Sequence, residues 1–307
     1  MTPASTRKNP LARIRRIAVI AGHAFTQLVR MKVFYFLAIF ALIAIASNFF
    51  DLPQHEGPEA MGSKGLDILR LIKSWSLGAM TLFSVVFGIV STALLLPKDV
   101  EDRTLYTILA KPVPRLDYLV GKLAGVLLLL AVSLGLMDVL MTVMLQIRMT
   151  IVLDVQRVMA DSYGWNQAAR DSLTHDTLLQ GPTWSLQGAV AAVFLRSAVM
   201  AAVALLISTF SSSTLFTAVV SFLVYFIGHF QGDVLGSGDG GQSSIARHLG
   251  QVIALVFPDF QLFNVIDAVI QGKMMELAQF GKLVWAALYY VGVYVFGSWF
   301  VFSDKEF

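Results

Sequence analysis

Six stretches of this chain are nearly free of charge and long enough, or nearly so, to cross a bilayer. They are Val33–Phe50, Trp75–Pro97, Tyr118–Ile147, Leu186–Phe210, Thr214–Phe230 and Lys282–Phe302. A helix needs about 20 mostly apolar residues to span the ~30 Å hydrocarbon layer. Thr214–Phe230 falls short of that and Tyr118–Ile147 exceeds it. A transmembrane barrel would alternate apolar and polar residues in ~10-residue units, and these runs do not alternate. In hydrocarbon a backbone amide has no water to bond, so the helix is the form such a run takes. Composition agrees: 56% of the 307 residues are hydrophobic and 14% are charged, whereas a soluble domain averages about 25% charged. Disordered and disulfide-rich classes are excluded by the same numbers. With no cysteine there is no thiolate metal site and no cysteine nucleophile.

The expected fold is therefore all-α and integral to the membrane, with six transmembrane helices. Residues 248–270 are also fairly apolar, but Pro258 and Asp259 interrupt them. They read as two short helices that re-enter the membrane or lie at its surface.

Orientation follows from lysine and arginine, which are enriched on the cytoplasmic side of membrane proteins. With the N-terminus inside, the inner segments and Lys122 hold thirteen cations and six acids, a balance of +7. The outer segments hold nine cations and thirteen acids, or −4. Arg196 and Asp138 lie within spans and cancel, which leaves the chain's net +3. Both termini are thus expected in the cytoplasm. The basic stretch 1–32 is too long for the n-region of a cleaved signal.

Within that stretch Leu11, Ile14, Ala18, Ala21, Phe25 and Leu28 recur at three- and four-residue steps, one face of a helix. Arg13, Arg16, His23, Gln27 and Arg30 fall largely off that face. An amphipathic helix of this kind lies in the inner interface with its cations near anionic headgroups. The organisation expected is a cytoplasmic amphipathic helix in 1–32 followed by a six-span domain in 33–307.

The loop 98–117 carries the most information. Asp99, Glu101 and Asp102 open a short helical pattern, where acids complement the positive helix end. Leu105, Ile108 and Leu109 form a small apolar face, and Pro112 and Pro114 stop the pattern. A short amphipathic helix pinned between two spans has an apolar face that needs a partner.

These residues resemble the first cytoplasmic loop of the membrane permease subunits of type-2 ATP-binding-cassette (ABC) exporters. The resemblance rests on Glu101, Thr104-Leu105, Leu109, Pro112-Val113-Pro114-Arg115 and Gly121-Lys122, with Arg103 standing where the family usually has glycine. It extends to the tight Ser211–Ser213 turn, the Pro258–Phe263 stretch with Asn264, Asp267 and Gly272, and the Asp304–Phe307 tail. The resemblance implies a coupling helix that docks on a separate cytoplasmic ATPase subunit. Glu101, Thr104, Leu105, Leu109, Pro112, Arg115 and Lys122 are then the coupling residues. It also implies a second permease copy, as homodimer or heterodimer, and export of an unidentified substrate. The location implied is the plasma membrane, in a bacterium the inner membrane.

Two charges sit inside the runs. Counted from inner boundaries near Leu123 and Phe210, Asp138 lies 15 residues along and Arg196 lies 14, each ~20–23 Å deep. Similar depth permits an ion pair that fixes packing or lines the path; separate placement in an aqueous cavity or snorkelling stands equally open.

Other chemistry is missing from the sequence. No G-x-x-x-x-G-K-[ST] occurs, so ATP and Mg²⁺ are expected on the partner ATPase, with no cofactor on this chain. The histidines show no metal-ligand spacing, and neither G-x-S-x-G nor H-E-x-x-H is present. No catalytic residue and no nucleic-acid partner is assigned, since the basic residues follow the positive-inside pattern. The competing readings are an ATP-independent secondary transporter or channel, which needs ion-coupling charges, and a membrane scaffold that transports nothing.

Overall fold

The computed structural model describes residues 10–46, 64–101, 113–211, 213–236 and 257–303. They form nine α-helices and a 3-10 turn, with no strand among them. In chain order the helices are α1 (Pro10–Val29), α2 (Lys32–Ala46), α3 (Lys64–Glu101), α4 (Arg115–Ser162) and α5 (Gln167–Leu179). There follow α6 (Trp184–Phe210), α7 (Thr214–Gly236), the turn Gln261–Phe263, α8 (Ile266–Ile270) and α9 (Leu277–Ser303). Thr104, Leu105, Leu109 and Pro112 of the expected coupling loop lie outside the described residues, as do 248–256.

Four helical stretches are long and apolar enough to cross a membrane: Gly65–Leu95, Arg115–Ser162, Gln167–Phe210 (which holds α5 and α6) and Leu277–Ser303. The apolar stretch Thr214–Phe230 is shorter, and α2 has 15 described residues. The helical, apolar architecture is that of a multi-pass membrane protein.

Contacts between small residues set the relative directions. Gly65 at the start of α3 faces Val152, and Gly88 faces Leu130, so α3 runs antiparallel to α4. Gly88 also stands against Ser197 and Ala201 of α6. At the other end of α6, Gln187 reaches Thr142 of α4 at 3.4 Å, so α6 is antiparallel to α4 as well. Arg115 of α4 meets Phe302 and Ser303 of α9, while Met275, just before α9, bonds Ser185 of α6. α6 is the central helix. It is largely apolar and rich in Ala, so α3 and α9 approach its backbone closely, the way helices associate in lipid.

Two elements run past the ends expected of them. α4 has 48 residues, about 72 Å, more than twice the hydrocarbon thickness. It does not stop at Ile147, because no glycine or proline occurs before Gly164. Its far end packs on α5: Arg170 bonds Asp161 at 2.6 Å and the Ala160 carbonyl at 3.0 Å, and Thr177 bonds Gln156 at 3.1 Å. Asn166 caps α5 by accepting from the Ala169 amide at 2.9 Å. The start of α3 joins this layer through Lys73, fully buried and 2.8 Å from Gln180 Oε1. α3 likewise continues through Pro97 to Glu101. A proline removes one helical hydrogen bond and kinks a helix, but does not have to end it.

α1 packs along the root of α4 through a pair of glycines four residues apart. A Cβ on Gly121 would lie 2.7 Å from Ile20, and one on Gly125 would lie 2.6 Å from Ala24 and 2.8 Å from the Ala21 carbonyl. Only hydrogen fits there, which is the chemistry of small-xxx-small helix pairs. Of the six apolar residues expected on one face of α1, Ala21, Phe25 and Leu28 pack inward, while Leu11, Ile14 and Ala18 are exposed.

Gly125→Leu should therefore separate α1 from α4 at a cost of about 1–3 kcal/mol, the usual range for overpacking. Thermal unfolding in detergent should show a lowered midpoint for Gly125→Leu. Gly135→Leu, where a Cβ meets nothing within 4 Å, should leave it unchanged.

Candidate functional site

The residues that follow the loop between α3 and α4 are tied to two helices at once. Arg115 opens α4, and its guanidinium donates to the carbonyls of Phe302 at 2.8 Å and Ser303 at 2.5 Å. Those carbonyls end α9, where the helix has no amides left to satisfy them and the dipole favours a cation. The Tyr118 ring stacks on Phe302 at 6.1 Å beside this contact. Two residues beyond Arg115, Asp117 accepts from Arg13 Nε at 2.8 Å and from Arg16 Nη2 at 3.2 Å. Asp117 is 1% exposed, while both arginines are half-exposed. It stands in the first turn of α4, where the helix N-terminus also favours a negative charge.

Lys122 is equally enclosed. It is 2% exposed, bonds Gln27 Oε1 at 3.3 Å and lies 5.8 Å over the Tyr118 ring. Of the coupling residues expected from sequence, Arg115 and Lys122 thus turn their side chains into the membrane domain. Glu101 is the last helical residue of α3. Asp117, Arg13 and Arg16 were not among the expected site residues. Their signal in sequence is the basic face of α1, which shows an excess of cations but not which acid answers it.

The second centre lies deep in the helix bundle. Arg196 of α6 is 4% exposed, and its Nη2 is 2.9 Å from His229 Nδ1 of α7. A guanidinium only donates, so Nδ1 is the acceptor and the ring carries its proton on Nε2. The guanidinium carbon lies 5.1 Å from the Tyr225 ring and 5.8 Å from the Phe260 ring, within cation–π range. Arg196 Nε has no hydrogen-bond partner among the described residues. The loop before α8 is held here as well: the Phe260 amide donates to the Gly228 carbonyl at 3.1 Å, and Gln261 Nε2 to the His229 carbonyl at 3.1 Å. A Cβ on Gly228 would collide with the Pro258 carbonyl, so glycine is what lets this turn close on α7.

The expected Asp138–Arg196 pair is not formed. Asp138 stands instead beside Gln187 and Thr142. Gln187 is nine residues from Arg196, about 13 Å along α6. The depth count misplaced Asp138 because α4 begins at Arg115 rather than near Leu123, about 12 Å lower. His229, Tyr225 and Phe260 are the partners that sequence reasoning missed. They come from α7 and from the interrupted segment after it, and no spacing rule links either to Arg196.

The burial of Asp117 makes its contacts asymmetric. Removing both arginines strands a buried carboxylate, whereas removing the carboxylate frees two arginines that already reach water. Arg13→Ala with Arg16→Ala should cost about 3–5 kcal/mol, and Asp117→Asn distinctly less. The comparison is read from unfolding midpoints of the purified protein.

The family model described as "ABC-2 family transporter protein" matches residues 18–306, from the middle of α1 through the end of α9. No curated protein matches the chain. The match takes in Arg115, Asp117 and α9, the loop between α3 and α4, and the Arg196 centre, while Arg13 and Arg16 lie ahead of it. The chain belongs to the ABC-2 transporter family and is a membrane permease subunit of an ABC transporter.

Proposed function

We propose that this permease is the membrane-spanning half of an exporter driven by a separate cytoplasmic ATPase. In this reading the chain crosses the membrane six times with both ends in the cytoplasm. Two copies, or one copy and a related permease, form the pathway. The ATPase docks on 98–117 through Leu105 and Leu109, with ATP and Mg²⁺ on its own side of the contact. The excess of cations on the N-terminal and loop segments supports that orientation.

The observation that carries the reading is the double tie at the root of α4. Arg115 links the residues after the loop to the end of α9, and Asp117 links them to α1. Bringing the two ATPase subunits together on ATP would push on the loop. Contacts of this kind pass a displacement to packed helices, whereas a solvated linker would absorb it. α4, α1 and α9 then move as one body against α6, and substrate leaves the cytosol or the inner leaflet.

Two experiments test the reading. Co-expressed with its ATPase, the permease should bring down ATPase activity, and Leu105→Glu or Leu109→Glu should abolish that association. Arg115→Gln should keep the association but lower permease-dependent hydrolysis several-fold. Transport by the chain alone in nucleotide-free liposomes would overturn the proposal. The orientation is tested with single cysteines, since the chain has none of its own. Ser172→Cys should react with an impermeant maleimide on intact cells and Ser211→Cys only after permeabilisation; the reverse pattern inverts the topology.

A further inference from the structure

Between α1 and Val113, just ahead of α4, the surface holds an open groove of about 610 Å³. Leu11, Ala12, Val19, Ile20 and Val113 give it an apolar lining, with Arg15 and Arg16 set between them in the i,i+4 rows of α1. Leu11 and Val19 are 77% and 66% exposed. Arg16 is engaged with Asp117. Arg15 makes no ion pair or hydrogen bond among the described residues. Arg13 and Arg16 share the one carboxylate of Asp117, and Arg15 adds a third guanidinium, so the described residues here carry a positive excess.

We propose that this groove binds an anionic phospholipid of the inner leaflet. The phosphate sits at Arg15, and an acyl chain runs from it along Val19, Ile20 and Val113. Two features of the groove select that ligand together. The planar fork of arginine matches phosphate oxygens, and the apolar side chains one turn beyond it match a hydrocarbon chain. A free phosphate would satisfy Arg15 and leave the walls wet. A peptide segment would have to bring its own acid, since Asp117 is already shared by two arginines. The groove lies on the N-terminal part of α1, the helix that leads within three residues into α2 and the first apolar run. A lipid held there presses α1 onto the Asp117 contact and so acts on the same junction that drives the helices. The leaflet named rests on the orientation proposed above.

The test is native mass spectrometry of the full chain in detergent, titrated with phosphatidylglycerol, phosphatidylcholine or inorganic phosphate. Phosphatidylglycerol should be retained, phosphatidylcholine should not, and millimolar phosphate should not displace the lipid. Arg15→Gln should weaken retention about five-fold, equivalent to ~1 kcal/mol per arginine at an anionic surface. Val19→Asn should weaken it as well, while Arg157→Gln, on the far end of α4, should not. Equal retention of the two lipids, or unchanged retention in Arg15→Gln, overturns the site. So does complete disulfide formation between Val19→Cys and Leu105→Cys in nanodiscs, which would place the 102–112 segment in the groove. The measurement uses the permease alone without nucleotide. A negative result therefore strikes the lipid site and leaves the exporter reading to the ATPase experiments.

Discussion

A polar group carried into an apolar layer has to find its partner within the protein, because nothing around it will bond. That constraint shapes this molecule at three scales. It drives the backbone into helices. It brings Asp117, Lys122, Lys73 and Arg196 into contact with groups on other helices. It also places small residues wherever two helices must come close enough for such contacts to form, as at Gly121, Gly125 and Gly228. The polar contacts and the close packing therefore occur together.

The same contacts give the molecule its mechanical character. α4 is the long member, running from the loop after α3 at one end to the layer formed with α5 at the other. Its root is clamped to α1 by charge and by the glycine pair, and to α9 by Arg115 on the terminal carbonyls. α6 sits among these helices with Arg196 turned toward α7 and the turn at Phe260. A displacement that enters near Arg115 meets stiff contacts on every side until it reaches the interface with α6 and α7. There the cation is held by one hydrogen bond and two ring faces rather than by an opposite charge. Such a contact can exchange partners at lower cost than a buried salt bridge broken in lipid, which fits the movement proposed above.

Much of this was open to inspection along the chain. The four long apolar helices are legible because a run of apolar residues needs no distant partner to declare itself. The helix α1 is legible for the same reason, since helix periodicity is local. Arg196 stands out as a charge inside an apolar run. Its partner does not: equal distances from assumed boundaries pointed to Asp138, and a boundary wrong by two helical turns removed the coincidence. The extra length of α4 and α3 was hidden too, because a helix beyond the hydrocarbon is ended by breakers and caps rather than by loss of hydrophobicity.

The sequence by itself determined that this chain is helical, that it belongs in a membrane and which segments carry the positive charge. Those properties follow from composition and periodicity, which act residue by residue. Only the tertiary structure decided which charges meet: Arg115 with the end of α9, Asp117 with α1, and Arg196 with His229 rather than Asp138. Such pairings depend on where each helix starts and on how it rotates against its neighbours. A shift of a few residues in one helix, invisible in its hydropathy, moves a side chain by 10 Å or more and changes its partner.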